Sequence, residues 1–204
     1  MRRMTQGARD ARKKKGEGHV RREEILEAAF DLFGRQDPRS VSTRRIAQVV
    51  GISQSTLYAY FESKQAIVAE LRRKAQGDLT QKMQAMLRVD LGQNALEAML
   101  RVYLEFGLAN PEAYKIAFLS DDRAAEGVVW PGRIPSIADD VIHVLLQGLL
   151  IRDVSVTGPC EAFLARSTWA SMHGLVLFLL NSPDLDQSDR DQLVELHVAR
   201  ATTV

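Results

Sequence analysis

Six side chains within eleven residues have the functional groups that bind nucleic-acid phosphates and base edges. In chain order they are Gln54, Ser55, Thr56, Tyr58, Tyr60 and Lys64. Short polar residues that open a helix can approach base edges in the major groove, and a phenol can donate its O–H to a phosphate. A lysine at the start of a helix stands beside free backbone N–H groups that also attract phosphate. The set therefore indicates contact with double-stranded DNA.

The elements that must position these side chains are two short helices joined by a tight turn. Ser42 is a capping residue type for the first helix, and Ser53 is one for the second. Between them, Gly51 suits the left-handed backbone of a sharp turn. The residues predicted to face the core recur at helical spacing and are Ile46, Ala47, Val50, Leu57 and Phe61. This arrangement predicts a helix-turn-helix.

Residues 22–71 resemble the N-terminal DNA-binding domain of the tetracycline-repressor (TetR/AcrR) family of bacterial regulators. The matching signature consists of Thr43, Ile46, Ala47, Gly51, Ile52, Ser53, Thr56, Leu57, Tyr58, Tyr60, Phe61, Ser63 and Lys64. The resemblance implies that phosphates are held by Thr43, Tyr58, Tyr60 and Lys64. It also implies that bases are read from the positions of Arg44, Gln54, Ser55 and Thr56. Because the readers vary within the family, the operator sequence does not transfer.

The charge of the chain is divided between its two parts. Residues 1–64 contain 14 Lys and Arg against 8 Asp and Glu, a net charge of +6, and the remainder has 13 against 18, a net charge of −5. This layout is expected when only one domain meets a polyanion. Residues 1–18 lack apolar periodicity and are predicted to be a disordered basic arm. Two interpretations stay open: a solvated tail, or an arm that contacts phosphates or the minor groove.

Past Lys64 the apolar periodicity is helical throughout, so we expect an all-α fold. An N-terminal three-helix helix-turn-helix domain over residues 19–66 precedes a larger C-terminal ligand-binding and dimerisation domain over residues 67–204. After a connecting helix loosened at Gly77, helices are predicted at residues 95–108, 112–119, 137–150 and 161–180, and Ser188 caps a last one. The helical pattern is interrupted at residues 120–135. This segment is predicted to form either a lid over a cavity or a surface loop.

Apolar and aromatic residues of the second domain predict a site for a small molecule. The candidate ligand residues are Leu100, Tyr103, Phe118, Trp130, Trp169 and His173. The segment from Trp169 to Gly174 is similar to the W-x-x-x-H-G signature of the WHG type of C-terminal domain. Trp169 and His173 share a helix face at i and i+4, as a packing seam or as ligand contacts.

The resemblance also implies a homodimer, because in the family the last two helices of each subunit form a four-helix bundle with those of its mate. Here these helices are residues 161–180 and 188–200, both apolar enough to need a partner. The candidate interface residues are Leu175, Leu179, Leu193 and Leu196.

Several other classes of protein are disfavoured by the sequence. It contains no nucleophile elbow, Walker-type phosphate loop or G-x-G-x-x-G motif, so we do not expect an enzyme. Its four histidines are far apart, and we expect neither a metal site nor a cofactor. The lone Cys160 suits a reducing cytosol. The longest apolar run, residues 175–180, is too short to cross a bilayer, so we expect no membrane partner.

Together these features predict a dimeric, cytoplasmic, nucleoid-associated transcriptional regulator of a bacterium. We expect a repressor that leaves its operator when a hydrophobic or aromatic ligand enters the second domain. Two alternatives stay open. One is a DNA-binding regulator controlled by a protein partner, and the other is a nucleoid-type DNA binder of low sequence specificity.

Overall fold

The computed structural model describes residues 17–89, 94–118, 139–151 and 159–203. Within these ranges it contains nine helices and no strand, which confirms the all-α prediction. In chain order the helices are α1 (Glu17–Arg35), α2 (Thr43–Val50), α3 (Gln54–Tyr58), α4 (Lys64–Arg88), α5 (Ala95–Ala109), α6 (Pro111–Phe118), α7 (Asp139–Ile151), α8 (Pro159–Leu180) and α9 (Gln187–Ala201). The chain forms two compact units, residues 1–64 and residues 65–204.

The first unit packs α2 against both α1 and α3 around a small apolar core. Its buried residues are Ile25, Leu26, Ala29, Leu32, Phe33, Val41, Ile46, Ala47, Leu57 and Phe61. Arg22 holds the end of the helix-turn-helix to α1: its guanidinium lies 4.1 Å from the centre of the Phe61 ring and donates to the Tyr60 carbonyl at 2.7 Å. The predicted inward face of α2 and α3 is confirmed, except that Val50 is only half-buried.

The second unit is organised around α8, which packs against α5, α7 and α9. Close approach requires small residues at two points. A Cβ on Gly107 of α5 would lie 2.6 Å from Val176 Cγ1, and one on Gly148 of α7 would lie 2.8 Å from the Met99 sulfur. Since atoms cannot approach so closely, these glycines let α8 and α5 meet their neighbours without displacing core side chains.

The predicted helix boundaries from α5 to α8 agree with the structure to within two residues. The predicted cap of the last helix is wrong: Asp186, not Ser188, accepts the Asp189 N–H at 2.9 Å and starts α9. Because α9 starts two residues earlier, Ser188 lies inside it. Helix α4 continues through Gly77 to Arg88 without a break.

Two predictions fall mainly on undescribed residues. Helix α1 begins at Glu17, so the last two residues of the predicted basic arm are helical, and residues 1–16 lie outside the described part. The irregular segment at residues 120–135, including Trp130, also lies outside it.

Two of the four predicted interface leucines belong to the core of a single chain. Leu175 and Leu179 on α8 are 4% and 1% exposed and pack into the main apolar cluster, because they lie on the face that meets α5 and α7. Leu193 is half-buried against the same cluster, and Leu196 is exposed. The exposed apolar side chains of α8 are instead Phe163 and Phe178.

One helical segment, Glu161–Leu180 of α8, is long and apolar enough to span a bilayer by length and composition alone, with a mean hydropathy of 1.3. This is weak evidence for a membrane span, since core helices share these properties. Here Ala165, Met172 and Val176 are buried inside the second unit.

Candidate nucleic-acid interface and buried aromatic cluster

Local hydrogen bonds set the angle between α2 and α3. The Ser42 hydroxyl accepts the Arg45 N–H at 3.1 Å, and the Ser53 hydroxyl accepts the Thr56 N–H at 3.0 Å, so both predicted caps are confirmed. Gly51 has φ 75° and donates its N–H to the carbonyls at the end of α2. This left-handed residue turns the chain within three residues of the next helix start.

Three predicted contact residues form one exposed hydrogen-bonded row across α2 and α3. The Gln54 amide donates to Thr43 Oγ1 at 3.1 Å, and that hydroxyl lies 3.3 Å from the Tyr58 hydroxyl. The bonds to Thr43 and then Gln54 hold the pKa of the Tyr58 phenol below its ordinary value. If each group donates to the next, the Tyr58 O–H is left free to donate outward. The row thus offers a neutral donor on an exposed surface.

The other predicted base readers differ in how available they are. Ser55 and Thr56 have hydroxyls 2.8 Å from the Ser53 hydroxyl, so both are engaged at the helix cap. Arg44 is exposed on α2, beside Arg45, which is also exposed. Sequence reasoning missed Arg45, although a second cation in the first turn of α2 was a visible signal. The surface is therefore more cationic on α2 than on α3.

Lys64 is anchored by hydrogen bonds, and Tyr60 is partly buried. The Lys64 ammonium donates to the carbonyls of Pro38 and Arg39, at 3.1 and 3.3 Å, which ties the first turn of α4 to the turn before α2. An ammonium has three N–H donors, so it can still meet an anion. Tyr60 is half-buried, less exposed than the 47% of Tyr58.

Four of the predicted ligand residues belong to one aromatic cluster in the second unit. Tyr103, Phe118, Trp169 and His173 come together there with Tyr114, which the prediction left out. Tyr114 and Phe118 recur at i and i+4 on α6, a spacing that could have identified Tyr114. The centres of the Trp169 and His173 rings are 4.9 Å apart in a stacked pair. The predicted Leu100 is buried in the surrounding apolar core.

The polar atoms of this cluster form a short hydrogen-bonded chain. The Tyr103 and Tyr114 hydroxyls are 2.9 Å apart, and the Tyr114 hydroxyl lies 2.5 Å from Nδ1 of His173. Burial raises the pKa of both phenols, which stay protonated, and burial lowers the pKa of His173. A neutral His173 that accepts at Nδ1 carries its proton on Nε2.

Trp169 is the exception among these polar groups. Its indole N–H lies near the Tyr103 hydroxyl and lowers the pKa of that phenol, whereas burial raises it. The geometry of this contact is not that of a hydrogen bond. Among the described residues, Trp169 Nε1 is therefore buried without an acceptor. Such a donor costs about 1–3 kcal/mol unless something supplies an acceptor.

Both units match known protein families. Residues 25–71 match the family described as bacterial regulatory proteins of the tetR family. Residues 96–201, more than half of the chain, match the tetracyclin repressor-like C-terminal domain.

Among curated proteins, the chain is 31% identical over 97 residues to the nucleoid occlusion factor SlmA of Glaesserella parasuis, which covers 47% of this chain and 48% of that protein. It is 30% identical over 124 residues to an uncharacterised helix-turn-helix transcriptional regulator of Mycobacterium tuberculosis. This match covers 59% of this chain and 53% of that protein. The chain thus aligns with about half the length of these relatives.

Among solved structures, a TetR-like transcriptional regulator from a Rhodococcus species has a similar fold. Its TM-score is 0.67 at 18% identity, and the match covers 94% of this chain and 99% of that one. At this identity the likeness concerns the fold alone.

The buried histidine predicts a difference in pH dependence. Because the folded-state pKa of His173 is lowered, the unfolded chain binds a proton more readily, and stability falls as the pH drops below about 6.5. His173→Gln keeps an acceptor for Tyr114 without titrating. Urea unfolding at pH values from about 5.5 to 7.5 measures the free energy of unfolding of both proteins. As the pH falls, this free energy should decrease more steeply in the wild type than in His173→Gln. The difference in slope should be well under ~1.4 kcal/mol per pH unit, because solvent screens a half-buried charge. Equal slopes would contradict a neutral buried His173.

Proposed function

The chain belongs to the tetracycline-repressor family of DNA-binding transcriptional regulators, and on that premise we propose that it is a homodimeric repressor released from its operator by a small apolar or aromatic ligand. The observation that carries the DNA-binding part is the exposed row of Gln54, Thr43 and Tyr58, which joins α2 to α3. The row combines an amide, suited to a base edge, with hydroxyls, suited to phosphates.

In this proposal, phosphates are held by Thr43, Tyr58, Tyr60 and Lys64, and bases are read by Arg44, Gln54, Ser55 and Thr56. Gln54 and Arg44 are the principal readers, since the Ser55 and Thr56 hydroxyls are engaged at the cap. Lys64 contributes charge while its bonds to residues 38 and 39 orient it. The net charge of +6 over residues 1–64 draws this unit to DNA.

Substitutions at Lys64 and Gln54 should separate affinity from specificity. A short duplex selected by the protein from a random library serves as operator, and a scrambled duplex serves as competitor. Lys64→Ala should weaken binding to both and reduce the slope of log K against log salt by about one, since one phosphate contact is lost. Gln54→Ala should weaken only the selected duplex, by about 1–3 kcal/mol. Fluorescence anisotropy over a salt series measures both effects.

Arg88→Ala is the matched control for lost charge, because Arg88 is exposed at the far end of α4. Thermal melting of each variant checks folding, since Lys64 also bonds to two carbonyls. An unchanged salt slope for a folded Lys64 variant would refute its phosphate contact.

A nucleoid-type DNA binder of low specificity is the second candidate, favoured by the similarity to the nucleoid occlusion factor SlmA. Excess scrambled duplex separates the two functions. A specific regulator stays bound to its selected duplex under competition. A low-specificity binder loses that duplex in proportion to the amount of scrambled duplex added.

The dimer is supported by an exposed stripe along α8. Phe163 and Phe178 are 68% and 51% exposed, and small residues lie between them on the same side of the helix. These are Ser167, Ala170, Ser171 and Gly174. Two large apolar side chains that flank a flat surface suit close packing against the same stripe of a second subunit. Such a pairing has two-fold symmetry. Leu196 on α9 extends the apolar surface.

A larger side chain at Gly174 should therefore prevent dimerisation without changing the fold of the subunit. A Cβ at Gly174 meets no atom within 4 Å in the single chain, and the same is true of Gly77 on α4. Gly174→Gln should shift the protein from dimer to monomer, whereas Gly77→Gln, the matched control, should leave it dimeric. Light scattering at micromolar concentration measures the mass. A monomeric wild type, or a Gly174→Gln variant that stays dimeric, would contradict pairing through this stripe.

Ligand control is proposed to pass from the aromatic cluster to α4. Helix α6 supplies Tyr114 and Phe118 to the cluster, and its Ala117 carbonyl accepts the Gln76 amide of α4 at 2.9 Å. Helix α4 begins at Lys64, the last residue of the first unit. A ligand that displaces α6 would thereby act on the helix that leads to the DNA-binding residues.

A compound from a thermal-shift screen of hydrophobic metabolites and drugs tests this coupling. A compound that raises the melting temperature should also release the selected duplex, and DNA should weaken its binding by the same factor. In Gln76→Leu the compound should still bind but release DNA less well, whereas Gln81→Leu, an exposed position on α4, should behave like the wild type. Stabilising compounds that leave DNA bound would favour control by a protein partner.

A further inference from the structure

Arg166 lies on the flank of α8 that carries the aromatic cluster. It precedes Trp169 by three residues and His173 by seven, a spacing that puts all three side chains on one side of a helix. Arg166 is half-buried, and its Nε atom is buried without a hydrogen-bond partner. Within the described residues its guanidinium has no ion pair or hydrogen bond. In the described part of the chain, this charged group is therefore a strong donor without an acceptor.

Two neighbouring buried donors on this flank thus have no partner among the described residues, while the other buried polar atoms of the cluster are hydrogen-bonded. Trp169 Nε1 is the second buried donor without a partner. The hydroxyls of Tyr103 and Tyr114 and Nδ1 of His173 bond to one another. The two buried polar atoms without a partner on this flank are therefore both donors, and one of them belongs to a positively charged group.

The described residues that share this flank supply no negative charge to neutralise Arg166. The half-buried stripe consists of Ala162, Arg166, Trp169, His173 and Leu177. His173 is neutral, and the groups packed against it from α5 and α6 are the protonated phenols Tyr103 and Tyr114 and the Phe118 ring. An acceptor for both open donors must come from outside this group, and an anion satisfies a guanidinium best.

We propose that the effector is an anionic compound with an aromatic or other apolar body, whose oxyanion is bound by Arg166 and accepts the Trp169 N–H. This inference rests on the proposed function, because it specifies the chemical class of the proposed ligand. The apolar body packs against the Trp169 and Phe118 rings, which are tilted against each other with centres 6.3 Å apart. A carboxylate or a sulfonate presents two oxygens to the guanidinium, which is the geometry that arginine recognises.

Two fluorescent dyes that differ in one group test the proposal. Anilinonaphthalene sulfonate and N-phenylnaphthylamine share an aromatic body, and only the first carries an anion. The wild type should bind the sulfonate at least about tenfold more tightly than the neutral dye, as expected for a charge-assisted hydrogen bond. Arg166→Gln should remove this preference by weakening the sulfonate alone. Trp169→Phe should weaken the sulfonate several-fold with a smaller effect on the neutral dye.

Arg88→Gln is the matched control and should leave both affinities unchanged, since Arg88 is exposed on α4. Circular dichroism and melting curves establish that each variant is folded. The proposal is overturned if the wild type binds neither dye, if it binds both equally, or if Arg166→Gln loses affinity for both dyes alike or for neither.

Release of the selected duplex by the same dyes separates this inference from the proposed function. If the sulfonate is preferred through Arg166 but leaves the duplex bound at saturation, the anion site stands and ligand control fails. If both dyes release the duplex equally from the wild type and from Arg166→Gln, ligand control stands and the anion site fails.

Discussion

The second unit depends on α8, a helix that is apolar around most of its circumference and must be covered on every side. One face, including Met172, Leu175 and Val176, is buried in the core. The flank of Trp169 and His173 meets the aromatic residues of α5 and α6. The third side, between Phe163 and Phe178, stays exposed in a single chain. Exposed apolar surface is unfavourable in water, at about 25 cal/mol per Å², which favours the proposed pairing with a second subunit along this side.

The aromatic cluster shows how polar atoms are kept inside an apolar site. Burial of a hydroxyl or an imidazole is tolerated when each donor has an acceptor, which the Tyr103, Tyr114 and His173 chain provides. Trp169 and Arg166 lie on the same flank and are not satisfied in this way. The contrast between paired and unpaired donors, rather than the presence of aromatic rings, is what favours the proposed ligand site over a packing seam.

In the first unit, side chains that are proposed to contact DNA also hold the fold. Lys64 bonds to the carbonyls of residues 38 and 39, and Thr43 links Gln54 to Tyr58. Contacts of this kind limit the conformations of the side chains before DNA arrives, so less conformational entropy is lost on binding. In this proposal, the same residues contribute to stability and to DNA recognition.

Local chemistry determined much of this protein from sequence alone. Ser42, Gly51 and Ser53 act within four residues of their own position, so their caps and turn follow from residue type, and helical periodicity gave most helix boundaries. The start of α9 shows the limit of such prediction. Asp186 and Ser188 are both capping residue types within one turn, and only the path of the chain into α9 selected Asp186. Apolar spacing could not separate the core leucines Leu175 and Leu179 from the exposed Phe163 and Phe178, because a helix apolar on every side has no distinctive face. Only tertiary packing decided which side met α5 and α7, and with it which donors were left open.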